Sequence, residues 1–340
     1  MSAARRTVFP AIAVLLPAAA LAFLLSDYRL FQLTMVVAYA IAILGLDMLT
    51  GYTGQISLGH GAFYAVGAYT AAILMANFDV PYWATLPVAA LICAGFGFAF
   101  GFPALRLGGL YLALATFALA IAVPQLLKYK LFEGWTGGVQ GIVISKPDPP
   151  FGLKLSQDQW LYLFTLAVGV VLFVLARNVL RGRIGLAMRA VRDHALAAEA
   201  MGVDIALLKT RTFALSAMYT GVAGALGAIA VQFVAPDSFA VFFSITLFVG
   251  LVVGGITSLL GAVFGAIFIV FIPNIADKIS KAAPGAIYGV ILIAFLYLLP
   301  MGFAGLLRRL TRSGAASSPP APALVPSPKA SVAEVRTRNG

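Results

Sequence analysis

The sequence predicts an all-α polytopic membrane protein, a bundle of about ten transmembrane helices with a disordered C-terminal tail. Two observations lead to this prediction. Apolar residues make up 61% of the 340 positions and charged residues only 10%, whereas a soluble domain is about a quarter charged. The apolar residues also form long blocks, such as 31–49 and 161–176, which reach or approach the roughly 20 residues that cross a bilayer.

The apolar blocks predict about ten crossings, provided that none of them is re-entrant. A cleaved signal peptide is the alternative for the first block, because that block follows Arg5 and Arg6 and contains small residues at 18–20. We therefore expect a transmembrane domain over residues 1–310. Its predicted crossings lie near residues 8–25, 31–50, 58–76, 83–101, 110–127, 159–176, 213–233, 239–254, 259–272 and 286–307.

The distribution of basic residues predicts the orientation. With a cytoplasmic N-terminus, sixteen of the 23 Lys and Arg residues fall in cytoplasmic segments, as the positive-inside rule requires. Seven of them lie in one loop, residues 177–212, and six in the C-terminal end. Both termini are therefore expected in the cytoplasm. This orientation also accounts for the net charge of +11, so we predict no nucleic-acid partner.

Residues 311–340 differ in composition from the rest of the chain. They are rich in Ser, Pro and Ala, and such a segment buries too little apolar surface to offset the entropy lost on ordering. We predict a disordered cytoplasmic tail.

The sequence offers no recognisable site for catalysis, for a metal or for a cofactor. A phosphate-binding loop of the form Gly-x-x-x-x-Gly-Lys-Ser/Thr does not occur, so any ATP hydrolysis belongs to a partner chain. His60 and His194 lack Cys or carboxylate neighbours at metal-ligand spacing, and no hydrolase motif is found. The lone Cys93 excludes an intramolecular disulfide. We predict no catalytic residue, no metal and no bound cofactor.

A glycine-rich break interrupts the apolar sequence at residues 51–63. Unpaired backbone groups in such a break are tolerated in a membrane only where protein or a water-filled cavity surrounds them. Ser57 is expected to cap a helix that begins at Leu58, and Asp47 to be neutral or hydrogen-bonded to the break. A structural turn on the cytoplasmic side is the alternative, since each flanking block can span alone. The predicted translocation-path residues are Asp47, Tyr52, Thr53, Gln55, Ser57 and His60.

The basic loop contains a predicted helix over residues 189–201. Its composition favours a helix, and Arg189 and Asp193 are spaced to pair at i, i+4. Gly202 offers a helix stop, and Asp204 a cap for the next span. A solvated surface helix that carries orientation charges is the simpler alternative to a docking role.

Four segments together resemble the permeases of branched-chain amino acid ABC importers, and most closely their LivM-type subunit. The resemblance runs from about residue 36 to residue 307. The tail lies outside it, and Asp47 stands where the family usually has Asn. The segments are GYTGQISLGHGAFYAVGAY (51–69), WTGGVQGI (135–142), RAVRDHALAAEAMGVDIALLKTRTFALSA (189–217) and GGITSLLGAVFGA (254–266).

This resemblance implies a permease subunit in the bacterial inner membrane that passes branched-chain or related amino acids inward. The implied partners are a second permease subunit, two cytoplasmic ATPases and a periplasmic solute-binding protein, besides membrane lipid. The resemblance places ATPase docking in the 177–212 loop, where the small residues are expected to form the contact face. The predicted coupling residues are Arg189, Arg192, Asp193, Ala195, Ala198, Glu199, Ala200 and Gly202.

Two other functions remain open from the residues alone. A self-sufficient secondary carrier or channel would hold its solute at the glycine-rich break. Such carriers usually keep ionisable residues in mid-span, whereas the one clear candidate here, Asp47, sits near the end of its predicted span. An intramembrane enzyme would need a nucleophile and a base, and no such pair is recognisable. The resemblance leaves the solute open among branched-chain amino acids, amides, urea and aromatic acids.

Overall fold

A computed structural model describes residues 17–104, 107, 109–152, 154–279, 281, 283–299 and 302–306. The chain divides into two units, Met1–Leu306 and Leu307–Gly340, and all described residues lie in the first. The predicted tail and residues 8–16 of the first predicted crossing lie outside the described residues.

The described residues form helices joined by short connections, with a single two-stranded sheet. Residues 17–24 are helical (α1). The first half continues with α2 (Asp27–Thr53), α3 (His60–Phe78), α4 (Tyr82–Ala104), α5 (Leu110–Leu127), α6 (Glu133–Thr136), β1 (Ile142–Val143) and a 3₁₀ turn at Pro150–Gly152. The second half has α7 (Gln157–Arg181), α8 (Arg183–Asp193), α9 (Ala195–Ala200), α10 (Ile205–Val231), β2 (Phe233–Val234), a 3₁₀ turn at Pro236–Phe239, α11 (Val241–Gly254), α12 (Leu259–Ile279) and α13 (Pro284–Leu298).

Nine segments in the described part of the chain are long and apolar enough to cross a membrane. They correspond to nine of the predicted crossings and confirm the all-α polytopic fold. Among the starts of the spans, that of α10 differs most from its prediction, since the helix begins at Ile205 rather than near residue 213. The Asp204 carboxylate accepts a hydrogen bond from the Leu207 N–H at 2.9 Å, so the predicted cap, and not the start of the apolar block, determines where the helix begins.

Helix α10 lies at the centre of the bundle and packs against α2, α3 and α4. Glycines make these crossings close. A Cβ at Gly67 would stand 2.0 Å from the Gly221 carbonyl oxygen, and one at Gly224 would stand 2.0 Å from the Tyr64 carbonyl oxygen. Because lipid supplies no hydrophobic drive for helix association, such close backbone contact is a main source of attraction between membrane helices.

The end of the bundle where α10 finishes carries the small sheet. Strands β1 and β2 are antiparallel, with Ile142 opposite Val234. Gly141 has a φ of +76°, and a Cβ there would lie 2.4 Å from the Val234 carbonyl oxygen, so this position favours glycine both sterically and conformationally. The 135–142 motif is therefore a tight turn that joins the α5–α7 connection to the end of α10.

Candidate functional site

The break between α2 and α3 is shorter than the sequence suggests. Helix α2 continues through Thr53 and ends at Gly54, whose φ of +71° forms a left-handed C-cap. Helix α3 begins at His60, and its N-cap residue is Gly59, which has no side chain to cap the helix. The expected cap by Ser57 is therefore wrong, because the helix starts later than predicted and the Ser57 hydroxyl bonds the His60 ring instead. We call residues 54–59 the 54–59 break.

His60 is the centre of a buried chain of hydrogen bonds. Its Nδ1 lies 3.0 Å from the Ser57 hydroxyl, and its Nε2 lies 2.6 Å from the Ser216 hydroxyl of α10. Ser216 donates to the Gly45 carbonyl of α2 at 2.6 Å, so its oxygen accepts from His60 Nε2–H. The ring therefore ties the break to α2 and α10.

Hydroxyls from two further helices satisfy backbone groups at the start of α3. Thr116 of α5 accepts from the Leu58 N–H, and Ser244 of α11 accepts from the Gly61 N–H, each at 2.9 Å. The residues Thr116, Ser216 and Ser244 were not identified from the sequence. Their one signal there is a small hydroxyl side chain inside an apolar block, which ordinary helices also contain.

Thr53 and Gln55 form a second local cluster. The Gln55 amide nitrogen donates to the Thr53 hydroxyl at 2.9 Å, and Thr50 donates to the Gln55 carbonyl at 3.1 Å. The side chains of Gln55, Ser57 and His60 are buried within this chain, at 8%, 1% and 1% exposure. The role of these residues in solute passage stays a prediction.

The 54–59 break begins at the end of α2 and leads back into the bundle. Its last residues meet positions well inside other helices, since Thr116 is the seventh residue of α5 and Ser216 the twelfth residue of α10. Ser216 in turn bonds Gly45, nine residues before the C-cap Gly54 of α2. Helix α3 therefore begins among the residues of α5 and α10 rather than beyond their ends.

Asp47, buried at 1% exposure, joins α2 to a second turn of the chain. Its two carboxylate oxygens accept hydrogen bonds from the Thr257 N–H at 2.8 Å and the Ser258 N–H at 3.1 Å. The Tyr52 hydroxyl donates to the Thr257 carbonyl at 3.3 Å. Thr257 and Ser258 lie between α11 and α12 rather than in the break next to Asp47. Their N–H groups stand just before α12, where the helix offers them no carbonyl acceptor, and Asp47 supplies one.

The predicted helix over residues 189–201 is wrong as a single helix. It is split at His194, whose extended backbone (φ −150°, ψ 92°) ends α8 and begins α9. Helix α8 buries Gly185, Met188 and Val191, whereas α9 buries only Ala198. The predicted stop at Gly202 is confirmed by a φ of +85° and by the Val203 N–H donating to the Ala198 carbonyl at 3.0 Å. We call α8 and α9 together the α8–α9 segment.

The charged side chains of α8 have other partners than the sequence suggests. Asp193 pairs with Arg192, with 3.0 Å between Oδ1 and Nε, rather than with Arg189. Arg189 donates to the Leu180 carbonyl at the end of α7, at 3.3 Å. Arg192 also donates from Nη1 to the Gly51 carbonyl at 2.9 Å, and this contact places the α8–α9 segment beside the last turn of α2, where the 54–59 break begins.

The exposed face of α9 differs from the predicted one. Ala198, expected to meet a partner, is only 5% exposed and packs within this chain. Ala195 is half-buried, whereas Glu199, Ala200 and Gly202 are exposed. The largest exposed apolar side chains here are Leu196 at 82% and Met201 at 86%. The small-residue contact face is therefore wrong in part, because the helix turns Ala198 inward and Leu196 outward.

Comparison with known proteins identifies the family. The family model described as "Branched-chain amino acid transport system / permease component" matches residues 28–299. The chain belongs to this permease family. It is similar to the high-affinity branched-chain amino acid transport system permease protein LivM of Salmonella typhimurium and to that of Escherichia coli. Each is 31% identical to it over 85% of this chain and 74% of the relative. No solved structure matches the chain.

Membership in this permease family confirms the resemblance found in the sequence. The chain is a transporter subunit rather than an enzyme, a multi-pass membrane protein of a bacterial transport system that has further components. In this permease, the predicted path residues form separate buried clusters around the end of α2, and the predicted coupling residues lie beside them on the α8–α9 segment.

Proposed function

We propose that this permease is the transmembrane subunit of an ATP-driven importer for branched-chain or related amino acids. It passes solute from a periplasmic binding protein to the cytoplasm, together with a second permease subunit and two cytoplasmic ATPases. Both termini and the α8–α9 segment face the cytoplasm in the bacterial inner membrane. The basic residues of the 177–212 loop support this orientation.

The exposed apolar tip of α9 is the observation that carries the proposal. Leu196, in the short helix α9, and Met201, its C-cap residue, are more than four-fifths exposed and lie outside the membrane-spanning segments. Covering such a side chain contributes about 1.5–3 kcal/mol, so the pair is suited to a protein partner. Glu199, Asp204 and Lys209 line an open groove next to it and offer polar contacts for the rim of such an interface.

The absence of an ATP-binding motif from the sequence supports separate ATPase subunits. The chain has no phosphate-binding loop of the Gly-x-x-x-x-Gly-Lys-Ser/Thr form. The branched-chain amino acids themselves are proposed as solutes because the two LivM relatives are described as transporting them.

Substitutions at the tip of α9 test the proposal. Leu196→Asp and Met201→Asp place a charge at positions with free space, so they leave the fold of the bundle intact. We expect each to abolish ATP hydrolysis in material that is affinity-purified through this chain from its native membranes, since a buried unpaired carboxylate opposes docking.

Val143→Asp is the matched control, because Val143 is 75% exposed at the opposite end of the bundle. It should retain the ATP hydrolysis that co-purifies with the wild-type chain. If Leu196→Asp and Met201→Asp both keep wild-type ATP hydrolysis and leucine uptake, the docking role of α9 is wrong. Ion-driven leucine uptake by the purified chain alone would instead support a secondary carrier.

A further inference from the structure

The last turn of α2 is held by one side chain of the α8–α9 segment. Arg192 Nη1 donates to the Gly51 carbonyl at 2.9 Å, one of the last carbonyls of a helix and therefore near the negative end of its dipole. The Arg192 stem lies against Gly54, where an added Cβ would be 3.1 Å from its Cγ. Asp193 accepts from Nε at 3.0 Å and fixes the guanidinium from the other side. Arg192 therefore meets α2 immediately before the 54–59 break.

The same turn of α2 is joined to α12. Asp47, one turn before Gly51, accepts from the N–H groups of Thr257 and Ser258 at 2.8 and 3.1 Å. A Cβ at Gly51 would stand 2.0 Å from Asp47 Oδ1 and 3.0 Å from Ile256, so there is little free space between these groups. A displacement of the Gly51 carbonyl must therefore move both the 54–59 break and the turn that begins α12.

The hydrogen bond of Arg192 reaches a more distant part of the chain than that of Arg189, the other arginine of α8 with a backbone partner. Arg189 bonds the end of the preceding helix, nine residues away in sequence. Arg192 bonds a residue 141 positions away. Within the described part of the chain, the residues that α8 buries are Gly185, Met188 and Val191, so this hydrogen bond is the directional connection between the α8–α9 segment and α2 there.

We propose that Arg192 is the positioning residue that carries movement of the α8–α9 segment into α2, and through α2 to the 54–59 break and the start of α12. This inference rests on the proposed function and names the residue through which its coupling acts. ATPase binding and coupling then use different residues: Leu196 and Met201 hold the partner, and Arg192 transmits its motion.

The first measurement is leucine taken up per ATP hydrolysed by the intact complex in proteoliposomes. Arg192→Ala should keep the ATPases bound and hydrolysing but lower this ratio at least about tenfold, and Arg192→Lys, which retains a donor for the Gly51 carbonyl, should restore part of it. Arg183→Ala is the matched control, because it removes an exposed arginine from the first turn of the same helix. A wild-type ratio in Arg192→Ala overturns the proposal.

The second measurement is amide hydrogen exchange of the full chain without partners. Arg192→Ala should speed exchange across residues 54–59 by about tenfold, which corresponds to ~1.4 kcal/mol, while Arg183→Ala leaves it unchanged. If Arg192→Ala leaves the exchange rate of residues 54–59 unchanged, the Arg192–Gly51 hydrogen bond does not hold the break, and the proposal is refuted even where the complex still forms. If exchange changes but the wild-type chain purifies without any ATP hydrolysis, the failure belongs to the proposed function, and the coupling role falls with it.

Discussion

The two hydrogen bonds of Asp47 allow a quantitative test of how α2 is fastened to α12. Hydrogen bonds to a charged group contribute about 1.5–3 kcal/mol each. Asp47→Ala removes both acceptors of the Thr257 and Ser258 N–H groups and should lower the free energy of unfolding by about 3–5 kcal/mol. Asp47→Asn keeps one acceptor oxygen but presents an NH₂ group to the other N–H, so it should lose about half as much.

The assay is thermal unfolding of the purified chain in detergent, and the decisive quantity is the ratio of the two shifts. Asp47→Ala should lower the melting temperature about twice as much as Asp47→Asn. Asp277→Ala, which removes an exposed carboxylate from α12, serves as the control and should shift it by far less. Equal shifts for Asp47→Ala and Asp47→Asn, or shifts no larger than that of Asp277→Ala, would refute the reasoning.

Three further predictions follow from the packing and the orientation. His60→Ala removes the ring that bonds both the Ser57 and the Ser216 hydroxyls, at about 1–3 kcal/mol for a buried polar group that loses its partner, and an unchanged melting temperature would contradict the hydrogen-bonded chain. Gly67→Ala forces α3 away from α10, because its Cβ would stand 2.0 Å from the Gly221 carbonyl oxygen, and should reduce the yield of folded protein in membranes; wild-type yield and stability would argue against the close crossing. Asp193→Cys should react with an impermeant thiol reagent only from the cytoplasmic side, and labelling of intact cells from the periplasm would reverse the proposed orientation.

The spans could be predicted because each is a local property of the sequence. Hydropathy over about 20 residues locates a transmembrane helix, and the cap at Asp204 and the stop at Gly202 depend on residues next to the helix ends. The ends of α2 and α3 were less predictable. The tyrosine, threonine and glycines of the break suggested an earlier end to α2, but Thr53 stays helical by bonding the Leu49 carbonyl at 2.6 Å.

The contacts of the candidate site depend on tertiary structure, so the sequence could not supply them. Asp47 and Thr257 are 210 residues apart, and nothing local to Asp47 distinguishes this partner from the adjacent break. The outward face of α9 was also predicted in part incorrectly, since a continuous helix and a helix broken at His194 expose different residues. Small residues at 195 and 198 suggested a contact surface, but the break turns Ala198 into the chain's own core.

The central claim is that this permease imports amino acids by the ATP hydrolysis of separate subunits. The most direct test is radiolabelled leucine uptake into proteoliposomes that contain the full complex, with binding protein outside, ATP inside and ionophores present to collapse every ion gradient. The account predicts accumulation that requires ATP hydrolysis and persists without an ion gradient. Accumulation by this chain alone, independent of ATP and abolished by the ionophores, would contradict it.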